Sequence, residues 1–396
     1  MANEYYYLGR SMGMAKLHGT DSYICVDTRS WESLIYIQGH PVEPSELSVL
    51  KRFLSPGGTF LDIGANFGLY SIVASEIIGA RGRVYSFEAN PHTFAYLKQS
   101  AMANRLIWLP QYTWENLAVA ESSGELEFAY DPTQLGGGHI RNEHDAEDTH
   151  TIVRVKSVAL DDYLPSDVQP DFVKIDVEGH ELGVLKGMEK TLRRSPNIRL
   201  LLEYYTFTDE VTEYGRSVIG YLRELGFGVC ALDGHGALRV VPEGEIPTGN
   251  IYILATRTPD EDASRALDSF SIRPHGFVYH PVFESGEHRL VQRGGELLYD
   301  GARSGDLEEP TLFFGPYISL PAGAYTLRFE GDGDGDAHLA LTADAGAKVL
   351  FSSEVSRWNQ PIRFDVAERV GQFEVVLRKT ASLKSLRLDG VVIERR

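Results

Sequence analysis

Phe60-Leu61-Asp62-Ile63-Gly64-Ala65-Asn66-Phe67-Gly68-Leu69-Tyr70 joins an apolar run, a glycine-spaced turn and the start of a second apolar run. The first run reads as a buried strand, Thr59–Ile63, and the second opens a helix over Leu69–Ile78. Gly64 and Gly68 let the backbone turn tightly and approach a ligand, and the helix points its first amides into the same space. The spacing G-x-N-x-G differs from the dinucleotide pattern G-x-G-x-x-G, which disfavours a pyrophosphate ligand. A second strand, Arg83–Phe87, ends in Glu88, about 20 residues beyond the loop, where a carboxylate accepts from both hydroxyls of a ribose. Together these elements predict a nucleoside cofactor without phosphates, and S-adenosylmethionine fits best.

Outward from this loop, strand and helix patterns alternate from about residue 46 to 227, which predicts a parallel sheet flanked by helices. The strands read are Thr59–Ile63, Arg83–Phe87, Thr113–Ala118, Phe172–Ile175, Ile198–Glu203, Gly228–Leu232 and Gly249–Ala255, the last two as an antiparallel hairpin. Leu182, Leu185, Met188 and Leu192 after Gly179, and Val218, Tyr221, Leu222 and Leu225 after Thr212, recur at helical spacing and read as core stripes. The domain so defined spans 1–257. Thr258 to about residue 275 reads as a polar linker, and 276–396 as an all-β sandwich or jelly roll of short strands between Gly, Asp and Pro turns.

The chain has 396 residues and a formal charge of −18, which argues against a nucleic acid or an anionic membrane surface as main partner. Its first residues lack a basic region followed by an apolar run, and no stretch of about 18 apolar residues occurs. Cys25 and Cys230 are far apart, without metal-ligand spacing. These features predict a soluble, cytoplasmic protein that does not insert into membranes.

The block Val173-Lys174-Ile175-Asp176-Val177-Glu178-Gly179-His180-Glu181, taken with the glycine loop, Phe87-Glu88-Ala89-Asn90-Pro91 and Leu160-Asp161-Asp162-Tyr163-Leu164, resembles the FkbM family of S-adenosylmethionine-dependent methyltransferases over roughly residues 20–255. The resemblance implies a class I, Rossmann-like, seven-stranded methyltransferase fold and methyl transfer to a hydroxyl of a saccharide or secondary metabolite. It also implies cofactor contacts at Asp62, Gly64, Asn66, Gly68 and Glu88, and an acidic residue, here Glu43, just before the first core helix.

Ligands of open parallel sheets sit at the carboxyl ends of the strands, so Asp62, Glu88, Asp176 and Glu203 are expected to line one crevice. Asp62 is assigned to the methionine ammonium or a water, Glu88 to the ribose, and Asn116 to the adenine edge or, alternatively, to a turn. A hydroxyl must lose its proton as it attacks the sulfonium methyl, so a base or a metal is needed nearby. Asp176 and His180 are the candidate bases, and His139 in the glycine-rich stretch Gln134–Ile140 is another. That stretch precedes no helix, which argues for a substrate gate over a phosphate cradle. Asp176 with Glu203 is alternatively a site for a hard cation such as Mg²⁺. Glu178 and Glu181 read equally as helix-dipole partners or as catalytic groups. The charged insertion of His144, Asp145, Glu147, Asp148 and His150 reads as solvated.

Gly315–Tyr325 resembles β-sandwich modules attached to glycan-processing enzymes, and Phe313, Phe314, Tyr317, Tyr325 and Trp358 are candidates for stacking on sugar faces. Gly331-Asp332-Gly333-Asp334-Gly335-Asp336 lacks the glycine and glutamate of a calcium-binding EF loop and reads as a flexible hairpin tip. The expected function is O-methylation of a saccharide or glycan precursor. N-methylation and a non-catalytic glycan-binding or scaffold role are the alternatives.

Overall fold

The computed structural model describes residues 4–396 except 19, 143–144, 146–149, 207, 234–235, 266–268, 273–277, 280–289, 294–295, 301–310, 315, 321, 344–345, 359 and 369. His144, Glu147 and Asp148 therefore lie outside the described residues. Two compact units emerge, Met1–Leu232 with Val240–Asp260, and Asp233–Arg239 with Glu261–Arg396. No described helix is long and apolar enough to cross a membrane.

The first unit opens with an antiparallel sheet of β1 (Tyr5–Gly9), β2 (Met12–Lys16) and β3 (Tyr23–Asp27), followed by helices α1 (Ser33–Ile37) and α2 (Pro44–Phe53). Its core alternates β4 (Thr59–Ile63), α3 (Leu69–Ile78), β5 (Arg83–Phe87), α4 (Pro91–Ala103) and β6 (Tyr112–Glu115). An antiparallel insertion follows, in which β7 (Ala118–Val119), β8 (Gly124–Asp131), β9 (Gln134–Ile140) and β10 (Thr151–Val158) take the order β7-β10-β8-β9. The alternation resumes with α5 (Leu160–Tyr163), β11 (Phe172–Ile175), α6 (Glu181–Gly187), α7 (Glu189–Arg194), β12 (Arg199–Thr206), α8 (Asp209–Glu224), β13 (Gly228–Leu232), β14 (Leu238–Val240) and β15 (Gly249–Thr256).

The central sheet has the order β14-β13-β15-β12-β11-β4-β5-β6. β6, β5, β4, β11 and β12 run parallel, whereas β15 is antiparallel to both β12 and β13. Strands covered on both faces read as continuous apolar runs, and β11 is buried throughout. The seven strands expected from the sequence are all present, with β14 as an eighth. The third ends at Glu115, and Ala118 begins the insertion instead. Chain order runs outward from β4 through β5 and β6 on one side and jumps to β11 and then β12 on the other, so the gap between the ends of β4 and β11 is the topological switch point.

α3 is buried over most of its length, while α4 begins with Pro91 behind an Asn90 cap whose side chain accepts from the His92 amide at 2.9 Å. Leu185, Met188, Leu192, Val218, Leu222 and Leu225 all enter the core, the first stripe divided between α6 and α7.

In the second unit two antiparallel sheets, each of six described strands, share one apolar core. The expected linker instead contains a helix, Pro259–Arg265, and a strand, Ser269–Ile272, paired with Ser385–Arg395. Gly331–Asp334 is likewise strand rather than hairpin tip: a β-carbon at Gly331 would lie 2.1 Å from the Arg387 carbonyl oxygen. Asp332 and Asp334 pair with Arg387 and Lys384. Phe313, Tyr325 and Trp358 are core residues, not sugar platforms, because alternation turns them inward. Phe314 is half-buried, and the Tyr317 side chain lies outside the described residues.

Candidate active site

At the switch point the chain turns from β4 into the glycine loop and from β11 into the Asp176–Gly179 turn. The two turns touch: a β-carbon on Gly64, whose φ is +77°, would fall 1.8 Å from the Asp176 carbonyl oxygen. Above them opens a cleft of about 600 Å³ within the first unit. Its floor is Gly64, Asn66, Glu88, Asp176, Val177, Glu178 and His180, and its sides come from α1, α2, β9, β12 and β15.

On one side Glu88 holds the loop in shape. Its Oε2 accepts the Asn66 amide and its Oε1 the Asn90 amide, each at 2.8 Å. Burial pushes its pKa up to about 7, although both amides favour the anion. Asn66 adopts a left-handed φ of +49°, and its buried Oδ1 has no hydrogen-bond partner.

On the other side stands Lys174, 3% exposed in the middle of an apolar strand. Its Nζ donates to the Gly64 carbonyl at 2.7 Å and pairs with Asp176 at 3.1 Å. Burial opposes its charge, but Asp176, Asp62 and Glu43 outweigh that and raise its pKa. Asp176 also accepts from the Tyr252 hydroxyl at 2.8 Å. Despite burial, Lys174 leads the groups that hold the Asp176 carboxyl below the usual range. Glu203 is driven the other way, by burial and then by the Asp176 anion, which disfavours a second negative charge beside it.

Glu178, at φ +52°, accepts from the Tyr205 hydroxyl at 3.2 Å, and burial with the nearby Asp176 charge pushes it up to about 7. One oxygen from each of Asp176, Glu178 and Glu203 lies within 4.8 Å of the others, a set of hard donors suited to a proton or a hard cation. Glu43, at φ +45°, accepts from the Tyr70 hydroxyl and is also pushed up to about 7, chiefly by burial. His180 lies on the cleft wall, and burial lowers its pKa.

Four expected ligand contacts sit behind this wall. Asp62 is fully buried under the loop, where Oδ2 accepts from Ser71 Oγ at 2.5 Å and Oδ1 has no hydrogen-bond partner. Gly68 faces Leu97 on α4. Asn116 is the alternative turn residue: its Nδ2 donates to the Glu88 and Ala89 carbonyls at 2.8 and 3.0 Å, which steadies the turn carrying Glu88. His139 lies between two acceptors, the Gly137 carbonyl at 3.0 Å and Asp145 at 2.9 Å. Although burial disfavours its charge, these partners raise its pKa.

The glycine-rich stretch is strand β9. Gly136, Gly137 and Gly138 line the cleft, and the Gly136 amide donates to Glu32 at 2.8 Å. Sequence reasoning passed over Lys174, Glu32, Tyr205 and Tyr252. Lys174 carried a signal, since a lysine inside a wholly apolar strand requires a buried partner. Tyr252 faces Glu203 across the β12–β15 ladder, a pairing visible only once register is known.

Residues 62–229 match the methyltransferase FkbM domain. Over 134 residues the chain is 31% identical to hexuronic acid methyltransferase AglP of Haloferax volcanii, a match covering 33% of this chain and 50% of the relative. The chain thus spans about half the length of that curated relative. Among solved structures it is similar to the FkbM methyltransferase of Methylobacillus flagellatus, with a TM-score of 0.34 and 13% identity over 50% of this chain and 43% of that one. It is also similar to Aeropyrum pernix fibrillarin in complex with S-adenosyl-L-methionine, with a TM-score of 0.31 and 14% identity over 65% and 98% of the two chains.

Proposed function

We propose, from the match of residues 62–229 to the methyltransferase FkbM domain, that the chain uses S-adenosylmethionine to methylate a hydroxyl of a saccharide or glycan precursor. The observation that carries this reading is the join of the Gly64 loop to the Asp176 turn at the switch point, with Glu88 and the unpartnered Asn66 Oδ1 beside it. Gly64 and Asn66 border the space for the cofactor, and Glu88 receives its ribose. Asp62 supports the loop from below. The relative's name, which specifies a hexuronic acid, brings sugars into view as acceptors.

Bound S-adenosylmethionine supplies an electrophilic methyl group. The acceptor oxygen forms a bond to that carbon as the carbon–sulfur bond breaks and its electron pair returns to sulfur. The acceptor proton must leave. Asp176, kept ionised by Lys174 and Tyr252, orients the hydroxyl and takes the hydrogen bond that strengthens as the proton departs. His180, uncharged from burial and on the same wall, is the second proton acceptor.

Calorimetric titration with S-adenosylhomocysteine tests the reading. Saturable binding to the wild type is expected, reduced at least tenfold in Glu88→Ala. A wild type that binds none would end it.

A further inference from the structure

The ionisable groups on the walls of the cleft are mostly carboxyls, of which Asp176 is held ionised while burial drives Glu203 toward its neutral form. Among the described lining residues there is no lysine or arginine, whereas Glu32, Glu43, Glu46, Glu178 and Glu203 join Asp176 and Glu88. The nearby cation, Lys174, lies behind the wall with Nζ committed to the Gly64 carbonyl and to Asp176. His180 brings no charge at neutral pH, since burial favours its neutral ring. Tyr205 and Tyr252 direct their hydroxyl protons to Glu178 and Asp176.

Resting on the methyltransferase reading above, we propose that the acceptor is an uncharged sugar and that this cleft rejects one bearing a carboxylate. An anionic acceptor would place a further negative charge beside Asp176 and Glu178, and no lysine or arginine of the described lining meets it, which leaves the cofactor's sulfonium as the one cation facing both. A neutral polyol instead offers hydroxyl protons to a wall rich in acceptors. In this respect the chain departs from a relative named for a hexuronic acid.

The test offers the full-length protein S-adenosylmethionine with a labelled methyl group and a mixed panel of neutral glycosides and glucuronosides. Each glucuronoside is supplied both as the carboxylate and as its uncharged primary amide, at pH 8 in EDTA. S-Adenosylhomocysteine binding is measured in the same buffer. Label is expected in neutral members, with each amide labelled at least tenfold faster than its carboxylate. Glu178→Gln is expected to narrow any such ratio at least threefold, because it removes one repelling charge. Equal or faster labelling of carboxylates overturns the proposal, as does their labelling only when Mg²⁺ replaces EDTA, which would mean that a cation reads the acid. An unchanged ratio in Glu178→Gln overturns the electrostatic cause. Label in no sugar while S-adenosylhomocysteine still binds removes the saccharide assignment and leaves the cofactor reading standing. Absence of that binding brings down both.

Discussion

Gly64 has no room for a β-carbon and sits at a φ that side chains avoid. Gly64→Ala adds about 1–2 kcal/mol of left-handed backbone cost and drives the loop off the Asp176 turn. The expected result is a lower urea midpoint together with loss of S-adenosylhomocysteine binding, read by denaturation and calorimetry. Asp176→Asn tests a different property. It keeps the shape but leaves Lys174 facing a neutral amide, so kcat is expected to fall on the order of 10²–10⁴-fold while S-adenosylhomocysteine affinity changes little. A kcat within threefold of wild type would remove Asp176 from the chemistry. Gly64 and Asp176 were legible as single letters in a motif. That they touch was not, because 112 positions separate them and only the β4–β11 pairing brings them together.

Elements of the central sheet were legible in proportion to how completely they are buried. β4, β11 and β12 read as strands because helices cover both faces and their centres are apolar runs, interrupted by Asp62, Lys174 and Glu203. The insertion was less legible. β9 carries three successive glycines, which have no strand preference, and is a strand because β8 pairs with it and Glu32 accepts the Gly136 amide. Asn116 shows how an element end depends on a neighbour: Asn116→Ala removes both hydrogen bonds to the turn after β5, and about 1–3 kcal/mol of stability is expected to go with them. Weaker S-adenosylhomocysteine binding should accompany that loss, through a displaced Glu88. In α8, Leu222→Ala opens a hole under the sheet, with an expected cost of about 2–5 kcal/mol measured by urea denaturation.

At the scale of the whole molecule, the carboxyl-rich cleft sets a pH dependence. Glu43, Glu88 and Glu178 titrate about 7 when folded, against an ordinary 4.5. Between those values the folded chain holds protons that the unfolded chain has released, so stability is lost as pH rises through 7. Asp176 and Asp27, both shifted down from 3.8, are ionised in both states above that pH and do not alter the slope. His180 is shifted down from 6.5, so its destabilising effect lies at lower pH. The melting temperature of the cofactor-free protein is therefore expected to fall from pH 6.5 to 8, and Glu178→Gln to flatten that fall. A rise over this range would contradict the assignment. The division into two units predicts a further separation: Phe373→Ala, in the core of the second unit, is expected to lower that unit's thermal transition while S-adenosylhomocysteine affinity stays within twofold.

Read by itself, the chain determined the alternating core, the glycine loop and three carboxylates of one crevice, Glu88, Asp176 and Glu203, because local patterning and motif spacing carry those directly. It also showed an all-β second half, since inward and outward residues alternate along each strand. Tertiary structure decided which letters reach the cleft. It withdrew Asp62, Gly68, Asn116 and His139 behind the wall, brought Glu32 and Tyr252 to it, and set Lys174 against Asp176. The physical reason is that a side chain's charge state and partners depend on burial and on neighbours contributed by distant strands, and no local window of sequence contains either.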